Sequence, residues 1–184
     1  MQKVLLLALA GLVLSSTHAQ TCLPGETHFT TQASVDNFQT NYPGCTHILG
    51  SVSISGTAIT NLNGLSVLTD IDGSLSILST TNLGSLTGLH NLTHIGGNLF
   101  VSGNALLTDL SGLDGLETVD GNTTITGNSN LVSLAGLNNL TGIGGNLSVS
   151  GAMLANLTGL NSLTTIGGHL GFTQCPVLSS LAVL

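Results

Sequence analysis

The chain has 184 residues, of which 41% are hydrophobic and 5% charged, and carries one basic residue against eight acidic ones for a formal net charge of −7. A chain of this length suits a single domain. So acidic a balance argues against nucleic acid and anionic membrane as partners, because both are held by basic footprints.

Residues 1–19 read as a secretory signal peptide, with a basic start at Lys3, an apolar stretch from Val4 to Leu14 and a small-residue cleavage pattern at Thr17-His18-Ala19. The 11-residue apolar run is too short to cross a bilayer, which takes about 20 residues, and no other run approaches that length. The reading is therefore of a secreted or cell-surface protein cleaved near Ala19 and without a transmembrane segment in this chain. Loss of Lys3 leaves eight acidic residues and no lysine or arginine, a net charge of −8 with histidine neutral.

Residues 20–45 are expected to form an N-terminal cap. Val35, Phe38 and Tyr42 stand at helical spacing before a stop at Pro43-Gly44, predicting a short helix across the open first coil. Cys22 and Cys45 bracket it. In an exported chain they are expected to pair as a disulfide, two buried free thiols being the alternative.

From Gly64 the chain repeats every 23 or 24 residues, each unit opening with Gly-Leu at positions 64, 88, 112, 136 and 159. A period of this size marks a solenoid whose coils bury their apolar residues only against one another. Counted from the opening glycine, apolar residues recur at offsets 1, 4, 7, 11 and 13, then 18 or 19 and 21 or 22. In the third coil these are Leu89, Leu92, Ile95, Leu99, Val101, Leu107 and Leu110, and the same frame fits an atypical first coil from about Asn41, giving six coils over 41–184. Offset 9 is glycine throughout (Gly50, Gly73, Gly97, Gly121, Gly145 and Gly168), which reads as a turn using positive φ. An alternating run follows, as in Asn146-Leu147-Ser148-Val149-Ser150, and predicts a strand of about five residues. Stacked coils give parallel sheets and a rod about 28 Å long at about 4.8 Å per coil. The sixth coil closes at Leu181 and Leu184 begins the frame of a seventh, so the chain is read as truncated, with Cys175 left without an assigned partner.

These features resemble the receptor L domain found in insulin-receptor and epidermal-growth-factor-receptor ectodomains. The resemblance rests on Cys22, a short helix, Cys45, the run Ile48-Leu49-Gly50-Ser51-Val52-Ser53-Ile54 and the later L-x-x-I-x-G-x-L-x-V units, and spans Cys22 to Leu184. It implies a right-handed β-helix, a leucine-rich-repeat-like solenoid with parallel β-sheets. It implies much less about function, since fold does not fix function; the favoured reading is a recognition or adhesion module, and with no catalytic set in the sequence no enzyme activity is expected. Hormone-contact residues, cysteine-rich modules and a kinase are not shared. The short leader ending at Ala19-Gln20 and the compact repeats resemble bacterial secreted members more than animal ones.

The candidate binding residues are the outward hydroxyls flanking each strand's central residue: Ser53, Ser55, Ser102, Thr124, Thr126, Ser148, Ser150 and Thr173, with Ser76 also in the strip. A protein or glycan ligand would suit them; plain polar outer faces of strands are the structural alternative, and a spacer of the cell envelope the alternative function. Ice binding is a weaker reading, because only Thr124-Ile125-Thr126 forms a full threonine pair. Threonines at offset 5 and Asn98, Asn122 and Asn146 at offset 10 are expected to stack as ladders along the axis. Asp70 with His94 and His90 with Asp114 are expected as charged neighbours one coil apart. Asp72 and Asp120, two coils apart at about 10 Å, have the spacing of an inverting glycosidase pair. A polysaccharide-active enzyme nonetheless fits poorly, since basic residues for an acidic substrate are missing. No converging metal ligands stand out and no cofactor is expected. Sequons at Asn91, Asn122, Asn139, Asn146 and Asn156 would be glycan sites in a eukaryotic secretory pathway.

Overall fold

The computed structural model describes residues 20–181, so the signal peptide expected over 1–19 and the seventh-coil residue Leu184 lie outside the described residues. Two parallel sheets of seven strands each run along the molecule, and every strand pairs with its equivalent one coil away. One sheet is built from short strands: β1 (Gln20–Cys22), β3 (Cys45–Ile48), β5 (Asp70–Ile71), β7 (His94–Ile95), β9 (Thr118–Val119), β11 (Gly142–Ile143) and β13 (Thr165–Ile166). The other is built from β2 (Thr27–Phe29), β4 (Val52–Ser55), β6 (Leu75–Leu78), β8 (Leu99–Ser102), β10 (Thr123–Thr126), β12 (Leu147–Ser150) and β14 (Leu170–Thr173). A third side is made of turns, with one 3-10 turn at Asn63–Leu65. The architecture is the β-solenoid that the period predicts.

Alternation explains the long strands. In Leu99-Phe100-Val101-Ser102 the first and third side chains are fully buried while the second and fourth look outward. The leucines at offsets 1, 4, 19 and 22 close the core from the third side, as Leu89, Leu92, Leu107 and Leu110 do with at most 1% exposure. Apolar side chains that no single coil can cover are covered by the coils above and below. Burial declines in the sixth coil, where Leu163, Ile166, Phe172 and Leu178 are half-buried and Leu170 and Leu181 exposed.

The offset-9 glycines serve a different purpose from the one the sequence suggests. None has a left-handed φ; they lie in the bend between the two strands of a coil, where glycine stacks on glycine. A Cβ on Gly97 would stand 2.8 Å from the carbonyl carbon of Gly73, and one on Gly121 would stand 2.9 Å from that of Gly97. Close coil-to-coil approach excludes the side chain. Left-handed backbone occurs instead after the long strands from β4 onward, where Gly56, Gly103, Gly127 and Gly151 have φ of 116°, 69°, 64° and 66° and Ser79 and Gln174 adopt 53° and 52°, and at the opening glycines Gly88, Gly112, Gly136 and Gly159, with φ of 116°, 112°, 106° and 115°.

The N-terminal segment is more than a helix. Its strands β1 and β2 form a layer of their own, pairing with β3 and β4 and extending both sheets by one strand. The predicted helix is broken at Asn37 into α1 (Gln32–Asp36) and α2 (Phe38–Asn41), and α1 begins with a capping box at Thr31 and Ser34. The helices lie on the third side against the 3-10 turn, with Val35 and Phe38 fully buried. Tyr42 does not point inward as its place in the frame suggests: it follows α2 and is 39% exposed, its ring 5.6 Å from that of Phe38. A disulfide joins Cys22 to Cys45 across β1 and β3, with the Cα atoms 5.8 Å apart, while Cys175 is half-buried and free.

Candidate functional site

The outward positions of the long-strand sheet form two rows. The first runs His28, Ser53, Ser76, Phe100, Thr124, Ser148 and Gly171; the second runs Ser55, Leu78, Ser102, Thr126, Ser150 and Thr173, each residue in register with the next. All eight candidate residues therefore stand on one face. Most are half-buried among their neighbours, with Ser148 and Thr173 exposed. Among these eight side chains only Ser150 makes a hydrogen bond, its Oγ donating to Gln174 Oε1 at 3.4 Å. The other hydroxyls keep their capacity for a ligand. Phe100 interrupts the hydroxyls in the middle of the first row, and Leu78 lies one strand away in the second. Between Ser53 and Thr173 the two rows contain no ionisable side chain.

Charge is segregated elsewhere. Every acidic residue lies between Glu26 and Asp120, and beyond Asp120 the one ionisable side chain besides Cys175 is His169. Several acids share the short-strand face, where His47, Asp70 and His94 stand in register on β3, β5 and β7. The pairing there differs from the expected one. His94 Nε2 meets Asp120 Oδ2 at 3.2 Å, and His47 Nε2 meets Asp72 Oδ1 at 2.7 Å, so each imidazole reaches diagonally to the next coil and past its in-register neighbour. His90 and Asp114 do not pair; Asp114 accepts from the backbone N–H of Gly112 at 2.8 Å. Asp72 and Asp120 thus each hold a histidine. No group of three or more metal-ligating side chains converges among the described residues.

The axial ladders are present, and they work through the backbone. Thr93 Oγ1 donates to the Thr69 carbonyl at 3.1 Å and Thr164 Oγ1 to that of Thr141 at 2.9 Å, with Glu117 supplying only its carbonyl to Thr141. Asn98 Oδ1 accepts from Asn122 N–H at 2.7 Å, Asn122 Oδ1 from Asn146 N–H at 2.8 Å, and Asn146 Oδ1 from His169 N–H at 2.6 Å. These residues hold the coils in place, and Asn122 and Asn146 are committed to that task, which makes them poor acceptors for a glycan.

A further ladder went unread in the sequence. Asn104 and Asn128, fully buried at offset 16, join to Thr80: Asn128 Oδ1 accepts from Asn104 N–H and Asn104 Oδ1 from Thr80 N–H, both at 2.9 Å. Recurrence of asparagine directly after Ser-Gly and Thr-Gly was the available signal.

The Receptor L domain family model matches residues 44–111, from the end of the cap into the third coil and about a third of the chain. No curated protein matches the chain. The match falls on coils whose frame carries the resemblance, and it supports a ligand-binding module of receptor type.

Proposed function

We propose that this chain is an extracellular recognition module that binds a protein or glycan ligand through the outward face of its long-strand sheet. The observation that carries this reading is the register of that face: two rows of hydroxyls, nearly all free of internal partners, around Phe100 and Leu78, on a scaffold whose spacing is fixed by stacking. A flat, uncharged surface of this kind recognises by shape and neutral hydrogen bonds, and side chains on rigid strands lose little freedom on binding. We further propose that residues 1–19 direct export and are removed, that 20–45 cap the solenoid, and that 41–184 form its coils. The Cys22–Cys45 disulfide supports an oxidising compartment.

The test is Ser148→Arg with Ser150→Arg in the displayed protein, read by glycan array and by capture of extracellular proteins. Loss of ligand with unchanged surface display is the expected result. Wild-type ligand capture by the double variant would return the face to a plain polar exterior and the molecule to the role of envelope spacer.

A further inference from the structure

We propose that a groove over Gly142, on the short-strand face, is a docking site for a basic side chain, lysine or arginine, carried by an extended segment of a partner protein. The first outward position of the short strands is filled by His47, Asp70, His94, Thr118 and Thr165 in the other coils, and only Gly142 leaves it without a side chain. The backbone does not require this glycine. Its φ is not left-handed, and a Cβ there would meet only Thr165 Oγ1 at 3.1 Å and Thr118 Cγ2 at 4.0 Å. Gly144 and Gly167 differ, because each lies directly against the backbone carbonyl of the preceding coil. A Cβ on Gly142 would press on nothing tighter than the Thr165 hydroxyl, which would have to shift by a few tenths of an ångström; a strand glycine held so loosely weakens the sheet and marks a place where something else approaches closely.

The gap is part of a groove of about 260 Å³ walled by Thr118, Asp120 and Thr165, floored by Gly142, Gly144 and Gly167, and underlain by Val119 and the buried Ile143. Its chemistry selects the occupant. Asp120 is the one carboxylate in the wall; its Oδ2 faces His94, and its Oδ1 has no partner among the described residues. An aliphatic stem fits against glycine methylenes, and an ammonium or guanidinium finds a carboxylate and two hydroxyls. The wider charge agrees, since residues 20–181 contain eight acidic side chains and no lysine or arginine, so an anion is repelled. Asp72 occupies the same strand-flanking place as Asp120 two coils away, about 10 Å at about 4.8 Å per coil. Three extended residues span about that distance, so a second basic residue three positions along the partner would meet it. The site shares no residue with the long-strand face, and either reading can fail without the other.

The probe is an uncharged-end hexapeptide with two lysines three positions apart, titrated into the protein in low salt and followed by NMR and calorimetry. Saturable shifts centred on Thr118, Asp120 and Thr165 are expected, and a glutamate counterpart should give none. Gly142→Thr completes the row without altering charge, and thermal unfolding should show it folded. That variant and Asp120→Asn should each weaken binding about fivefold, the worth of an exposed ion pair. Asp36→Asn removes the same charge from the cap and should stay within about twofold, being screened. The proposal is overturned if no saturable binding occurs, if Gly142→Thr binds like wild type, or if Asp36→Asn loses as much as Asp120→Asn.

Discussion

Asn104 uses its whole side chain inside the protein: Nδ2 donates to the Ile77 carbonyl at 2.9 Å, and Oδ1 accepts from both the N–H and the hydroxyl of Thr80, the latter at 2.6 Å. Nothing about an asparagine in a Ser-Gly-Asn turn announces such burial, because the same residue type serves on the outside at Asn130, whose Nδ2 holds the Ala105 carbonyl. Only the repeat frame separates the two. Asn104→Ala strands the buried N–H and hydroxyl of Thr80 and removes a donor from the Ile77 carbonyl; at about 1 to 3 kcal/mol for each of the two orphaned donors it should cost about 2 to 6 kcal/mol, measured by urea denaturation. A loss below about 1 kcal/mol would mean that water enters and replaces the amide. Thr123 is the opposite case. It occupies an inward position that leucine fills in the neighbouring coils, and its hydroxyl has no partner. Its outward neighbour Thr124 was legible as a surface residue from alternation alone, whereas a lone polar residue in the core has no periodic signature.

At the scale of the element, the strands were readable because period-2 alternation and the glycine before it fall at fixed offsets. The reason for the glycine was not readable, since φ and interlayer spacing leave the same letter in the sequence. Gly97→Ala discriminates between them. A turn glycine with ordinary φ would tolerate the methyl, but here Cβ meets the Gly73 backbone, so the two coils must part. The expected cost is about 1 to 3 kcal/mol, as for an overpacked core. Hydrogen exchange should show the loss concentrated in β6 and β8, and protection unchanged there would refute the stacking account. Strands β1 and β2 escaped notice because their residues lie outside the Gly-Leu frame, although Thr27 and Phe29 stand in register with Val52 and Ile54. The diagonal reach of His47 and His94 was likewise hidden, as offset counting aligns residues straight along the axis and ignores side-chain length.

For the whole molecule, stability accumulates from coil to coil, and the ends are its weakest places. The Cys22–Cys45 link closes a 23-residue separation and ties the outermost layer to the first coil. Reduction should lower stability by about 3 to 4 kcal/mol on chain-entropy grounds, with exchange quickening first in β1, β2 and the two helices. Uniform quickening through β12 would instead mean that the solenoid unfolds as one unit. The architecture was legible as a whole because each coil repeats the same evidence, while the binding faces were legible only as candidates, because a polar outer row looks alike whether or not it is used. The confinement of all eight carboxylates to residues 26–120 has a consequence for the rod itself. The layers up to the fourth of the six coils carry fixed negative charge and the two coils beyond are nearly neutral, so the axis is a permanent electric dipole. Near a cationic surface such a rod turns its cap-side coils inward and holds the coils beyond Asp120 away from it.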